Sequence, residues 1–192
     1  LFSMPVIGWL MRIFHGIPVY RAKEADTSKN TETFEKARAV LAGGGWLALF
    51  PEGVSHNEHQ LLRLKTGAAR IALGGPAGIT ILPVGLTYEA KEIFRSAVAL
   101  SIGSPIQVDA FRVHGGEHPE DVTALTEALE NALRKEVMEA EDHEIWQGFR
   151  SVASWLALPN EAPALTEARA LQFSQAWKTL PEAQQESLAA EA

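Results

Sequence analysis

Apolar residues recur along the first segment at helical spacing: Phe2, Val6, Trp9, Leu10 and Ile13 fall three or four apart and form one stripe. The pattern predicts a helix over Phe2–Phe14. Such a stripe serves either a core-facing helix or one lying in a lipid interface, and Trp9, Met11 and Arg12 suit the interface. A short strand follows over Ile17–Arg21, then a helix over Lys29–Leu41 with Thr31 as its N-cap and Phe34, Ala37, Val40 and Leu41 on one face. Three glycines, Gly43 to Gly45, end it. Trp46–Phe50 is apolar throughout and stops at Pro51, the pattern of a strand buried on both faces. Thr66–Leu73 reads as a helix closed by Gly74-Gly75-Pro76, and Ile79–Tyr88 and Val98–Ile102 read as strands.

Strand, helix, strand, helix, strand in that order predicts an α/β fold, a mostly parallel sheet flanked by helices. From residue 120 the pattern turns wholly helical. Val122, Leu125, Leu129, Leu133, Val137 and Met138 form one stripe, followed by helical segments over Trp146–Leu158 and Leu165–Leu180 and a frayed last dozen residues. Trp146, Trp155 and Trp177 fall at helical positions and are expected in the core. The chain therefore divides into an α/β core over 1–119 and a C-terminal helical extension over 120–192.

Composition narrows the function. The net charge of −7 is uneven: residues 1–73 hold nine Lys/Arg against six Asp/Glu, the remainder eight against eighteen. An acidic chain with a mildly basic front excludes a broad cationic face for nucleic acid but permits a small anionic ligand near the front. Ten acids lie between Glu117 and Glu144, where a solvated helix face is expected. There are no cysteines, hence no disulfide and no thiolate metal site. No run reaches the roughly 18–20 apolar residues of a membrane-spanning helix.

Chemistry concentrates after the apolar run. Leu49-Phe50-Pro51-Glu52-Gly53-Val54-Ser55-His56 places a carboxylate and two hydrogen-bonding side chains at the end of the expected buried strand. In open α/β sheets that edge binds ligands. Lys65 and Thr66 then open a helix whose free N–H groups suit a phosphate or carboxylate, and Gly67 permits close backbone approach.

Phe50-Pro51-Glu52-Gly53 with Leu64-Lys65-Thr66-Gly67 resembles the third motif of the glycerol-phosphate and lysophosphatidate acyltransferases. Gly16-Ile17-Pro18-Val19-Tyr20-Arg21 is similar to the family's second motif, and Ile81-Leu82-Pro83-Val84 to its fourth. The ordered set spans roughly residues 10–105. The resemblance implies transfer of an acyl chain from acyl-CoA or an acyl-carrier protein to a hydroxyl of glycerol 3-phosphate or a lysophospholipid. On that likeness Glu52 and the Gly53 turn orient the acceptor, Ser55 belongs to its site, Arg21 and Lys65 neutralise its phosphate, and Pro83 lines the acyl channel. No metal or redox cofactor is implied, and a membrane surface at the cytoplasmic face is the expected setting. The match departs from the family where Val54-Ser55-His56 replaces its usual Thr-Arg-Ser, which removes an arginine.

The family's first motif, a histidine with an aspartate five positions later, is not found. His15, His56, His59, His114, His118 and His143 are followed at that spacing by Tyr20, Leu61, Leu64, Pro119, Thr123 and Gly148. An alcohol attacking a thioester needs a base near neutral pKa, so the pair is expected upstream of Leu1 in a longer protein. Two other readings use the same residues. Without that base the chain could bind phospholipid and transfer nothing. Gly53-Val54-Ser55-His56-Asn57 nearly matches a serine-hydrolase elbow with Ser55 as nucleophile, and Asp109 with His114 or His118 as partners. His56, Glu58 and His59 lack metal-site spacing and read as a polar loop.

Overall fold

The computed structural model describes residues 9, 29–88 and 90–190. The expected Phe2–Phe14 helix (its Trp9 apart, which is helical) and the Ile17–Arg21 strand lie outside the described residues. The first described helix, α1, spans Lys29–Ala42. It opens two residues before Thr31, which therefore sits inside the first turn and is not the N-cap. An exposed Lys36–Glu32 pair braces it at the favourable four-residue spacing.

The next run departs from expectation. Trp46–Phe50 joins no ladder among the described residues, and Trp46 and Phe50 are 92% and 76% exposed. A strand buried on both faces needs a layer packed on each face and a ladder to join, and the described ladders lie elsewhere.

Helix α2 covers Gly67–Leu73. Four short strands follow: β1 at Thr80–Ile81, β2 at Val84–Tyr88, β3 at Val98–Ile102 and β4 at Ile106–Gln107. They form two antiparallel pairs, β1 with β4 and β2 with β3, in place of the parallel pairing expected. Only residues 89–97 separate β2 from β3, fewer than the dozen or so a parallel crossover requires. The single strand expected over Ile79–Tyr88 is broken at Leu82-Pro83, because Pro83 has no N–H for a ladder. The class is thus mixed helix and sheet, with small antiparallel ladders.

A 3-10 turn at Val108–Phe111 leads to α3, Pro119–Leu133. Pro119 stands at the helix start, where its missing N–H costs nothing. The α3 stripe of Val122 and Leu125 closes on Ala69, Ala72 and Leu73 of α2 and on Val108. Farther along, Leu129 and Leu133 cover Leu64. Arg112 fastens this unit by donating to the carbonyls of Leu73 at 2.5 Å, Ala72 at 3.0 Å and Pro76 at 2.8 Å. A cation at the C-terminal end of α2 is where the helix dipole favours one.

The expected stripe runs past the helix, since α3 stops at Leu133 and Met138 is buried from an irregular connector. Met138 and Ala140 join a second core with Phe149 and Ala153 of α4 (His143–Trp155) and Ala170 and Leu171 of α5 (Pro163–Trp177). Asp142 caps α4 by accepting the Ile145 amide at 2.8 Å. Trp146 and Trp177 pack here as expected, but Trp155, at the end of α4, is 82% exposed. The last residues are not frayed up to residue 190: α6 spans Glu182–Ala190. No helix among the described residues is long and apolar enough to cross a membrane.

Candidate functional site

The Phe-Pro-Glu-Gly stretch is a tight turn. The Gly53 amide donates to the Phe50 carbonyl at 3.1 Å, and Gly53 has φ +72°, a conformation glycine adopts without strain. The chain then loops out and returns, so that the Lys65 amide donates to the Pro51 carbonyl at 2.8 Å. That one bond brings together the two halves of the motif, which are a dozen residues apart in sequence. The Lys65 stem lies against Gly53, where an added Cβ would stand 3.4 Å from its Cγ. Gly67 has ordinary room, with Phe34 at 3.9 Å from such a Cβ, so the close approach expected there is not made.

Glu52 does not point away from the loop. One of its oxygens accepts the Leu62 amide at 2.9 Å and lies 2.6 Å from His56 Nε2. The Glu58 amide donates to His56 Nδ1 at 3.2 Å, which makes Nδ1 the acceptor and Nε2 the donor towards Glu52 in the neutral ring. Both side chains are partly buried. A carboxylate held through one oxygen by an imidazole and a backbone amide keeps one fixed position.

Lys91, from the segment between β2 and β3, reaches this loop. Its ammonium donates to Ser55 Oγ at 3.2 Å, the His56 carbonyl at 2.8 Å and Asn57 Oδ1 at 3.2 Å. A cation therefore stands beside Val54-Ser55-His56, the stretch where the sequence lacks an arginine. Nothing in the local pattern identified Lys91, because a lysine some 35 residues downstream carries no periodicity that links it to the turn.

Other predicted residues fall as follows. Lys65 is exposed at the start of α2, and Thr66 makes no side-chain cap. Pro83 is fully buried between β1 and β2, and its carbonyl accepts the Gly103 amide at 2.9 Å. Arg21 lies outside the described residues. The hydrolase partners are not assembled around Ser55: Asp109 accepts from Arg112 and from the Gly78 amide, and His114 is held by Asp121. His56 and His59 separate as well, since His59 Nε2 meets His143 Nδ1 at 3.0 Å and its ring packs beside Trp146.

The acidic stretch is less solvated than its composition suggested. Glu139 is nearly buried, and it accepts the Leu61 amide at 2.9 Å, Arg134 at 2.6 Å and Lys178 at 2.7 Å. Glu117 receives Arg38 and Arg70; burial opposes its ionisation, but those two guanidinium bonds hold its pKa below the usual range. Asp121 behaves likewise, with hydrogen bonds from His114 outweighing the cost of burial.

Comparison with known proteins adds an independent line. Residues 1–87 match the family model described as acyltransferase. Glycerol-3-phosphate O-acyltransferase 2 of Saccharomyces cerevisiae is 34% identical over 155 residues, 76% of this chain and 21% of the yeast protein. A probable 1-acyl-sn-glycerol-3-phosphate acyltransferase 5 of Arabidopsis thaliana is 37% identical over 76 residues, 38% of this chain and 19% of the plant protein. A chloroplastic 1-acyl-sn-glycerol-3-phosphate acyltransferase of Brassica napus is 28% identical over 91 residues, 47% and 25% of the two chains. The chain thus spans about a fifth to a quarter of the length of these relatives. No solved structure matches significantly. Over residues 1–87 the chain therefore carries a domain of the acyltransferase family, and it is similar to glycerol-3-phosphate and 1-acylglycerol-3-phosphate acyltransferases.

Proposed function

We propose that the protein containing this chain transfers an acyl group from a thioester, acyl-CoA or acyl-carrier protein, to a hydroxyl of glycerol 3-phosphate or a lysophospholipid. The observation that carries the reading is the Lys65–Pro51 backbone bond, which sets the Glu52–Gly53 turn against the Lys65 cation. In the reaction the acceptor oxygen attacks the thioester carbonyl and its proton passes to a base. The tetrahedral intermediate collapses, the carbon–sulfur bond breaks, and the thiolate leaves and takes up a proton. Glu52, fixed by His56 and the Leu62 amide, orients the acceptor hydroxyl. Lys65 and Arg21 balance the acceptor phosphate, Ser55 lies at its edge, and Pro83 borders the acyl chain. The base is a histidine paired with an aspartate, supplied from outside these 192 residues. No metal enters this chemistry.

The same reading includes a mostly parallel sheet over the 1–119 core, with residues 120–192 as a helical extension. The wholly apolar composition of Trp46–Phe50 supports it, being that of a strand covered on both faces. Association with a membrane, at its cytoplasmic face, is part of the reading because the acceptors and products are lipids. Ile93 and Phe94, exposed in the segment between β2 and β3, support it.

The test is an assay of the intact protein with an acyl thioester and each acceptor in turn, following thiol release and product. Thiol release that depends on acceptor is expected, and Arg21→Ala should raise the acceptor KM more than the donor KM. Tight phospholipid binding without thiol release would replace transfer with a lipid-binding role. Equal changes in both KM values would remove Arg21 from the phosphate site.

A further inference from the structure

Between the 3-10 turn and α3 the chain gathers three metal-ligating side chains. One ligand atom each from His114, His118 and Glu120 lies within 4.8 Å of the other two. His114 Nε2 is 3.4 Å from Glu120 Oε2. That matches the edge, ~3.3–3.4 Å, of a tetrahedron drawn with zinc–ligand bonds of ~2.0–2.1 Å. The His118 ring stacks on His114, with centroids 4.5 Å apart and planes 27° from parallel. The chain folds back between the two histidines through Gly115 and Gly116, both at positive φ. All three side chains are exposed.

Behind the cluster stands Asp121, only 3% exposed. Both its oxygens serve His114: Oδ1 lies 2.8 Å from ring Nδ1 and Oδ2 accepts the backbone amide at 2.9 Å. An ionised carboxylate makes Nδ1 the proton donor and leaves the Nε2 lone pair for a ligand. Carboxylates stand behind metal-bound imidazoles in this way, fixing ring orientation and tautomer. His118 is the residue before α3, but its bond from the Glu120 amide is long, 3.4 Å, and occupies only Nδ1. The positive end of α3 disfavours a cation there. Glu120 and Asp121 together carry the two negative charges that offset a dication.

We propose that His114, His118 and Glu120 form a binding site for a divalent transition metal, zinc by preference, with Asp121 as the positioning residue for His114. Two imidazoles and one carboxylate are a donor set zinc accepts with a water in the fourth place. The acyl-transfer step does not call on this ion. Its effect is structural: it ties the loop over 112–118 to the first turn of α3, beside Glu117, which already binds Arg38 of α1 and Arg70 of α2.

The intact protein, stripped with a chelator, is titrated near neutral pH with zinc chloride by calorimetry and with cobalt chloride by visible absorption. One equivalent should bind, and cobalt should show the intense absorption of four- or five-coordination. His118→Ala and Glu120→Gln alter exposed side chains, so the fold should persist by circular dichroism while affinity falls at least tenfold. Asp121→Asn should weaken binding about 10–100-fold. His143→Ala, in the other histidine pair, should change nothing. Absence of saturable binding overturns the site, as does binding that survives both His118→Ala and Glu120→Gln. Loss of binding in His143→Ala would move the ion to the His59–His143 pair and also overturn it.

Discussion

Glu139 accepts the Leu61 amide with one carboxylate oxygen at 2.9 Å and holds the Lys178 ammonium with the other at 2.7 Å. One nearly buried side chain thus joins the loop that carries the candidate site to the end of α5. Ser174 adds to the junction by accepting the Glu139 amide at 3.1 Å and donating to its carbonyl at 2.7 Å. Through this junction α5 supports the loop before Lys65.

That junction makes the first prediction. Glu139→Ala strands the Leu61 amide and the Lys178 ammonium and leaves Arg134 paired with Glu130, and should lower stability by about 1–3 kcal/mol. Glu139→Gln keeps an acceptor and should cost less. Urea midpoints measure both. Equal midpoints for the two variants and the parent would show that the carboxylate carries no load.

Glu52 and His56 act as a pair. Glu52→Ala removes the group proposed to orient the acceptor and should reduce kcat/KM about 100-fold, the scale of a misplaced substrate. His56→Ala should do less, since the Leu62 amide still holds the carboxylate. Steady-state kinetics of the intact enzyme decide it. A larger defect from His56→Ala than from Glu52→Ala would reverse the assigned roles.

Lys91→Ala should release the Ser55–Asn57 loop without unfolding the protein. Its bonds are exposed, so the loss should be about 1 kcal/mol, or a fivefold rise in acceptor KM. Faster amide exchange at residues 54–58 should accompany it. A higher KM with unchanged exchange would mean that Lys91 touches the acceptor directly.

Glu161 sets a pH dependence. It accepts both terminal nitrogens of Arg169, at 2.9 and 3.1 Å, and the Leu158 amide at 3.2 Å. The Arg169 bond, then the Leu158 bond, outweigh burial and hold its pKa below the ordinary glutamate range. A depressed folded-state pKa stabilises above the unfolded pKa and is lost as pH falls through the folded one. The melting-temperature gap between the parent and Glu161→Gln should therefore be widest near pH 7 and shrink towards about pH 3. A gap that stays constant over that range would show that ionisation of Glu161 is not what holds the α4–α5 connection to Arg169.

Local pattern and motif order were sufficient for much of this protein. The three- and four-residue spacing of Val122, Leu125, Leu129 and Leu133 specified the α3 face that is buried, because a helix must place such residues on one side. Pro51, Gly53, Lys65 and Thr66 marked the turn and the α2 start from backbone preference alone. The ordered motifs identified the family. Tertiary structure decided what depends on contacts remote in sequence. Strand direction followed from the short segment between β2 and β3, which periodicity does not encode. The position of Glu52 rests on His56 and Leu62, the loop's cation comes from Lys91, and its anchor is Glu139, 78 residues beyond Leu61. A single charged side chain has no period, and only the folded chain sets which oppositely charged or hydrogen-bonding group it meets.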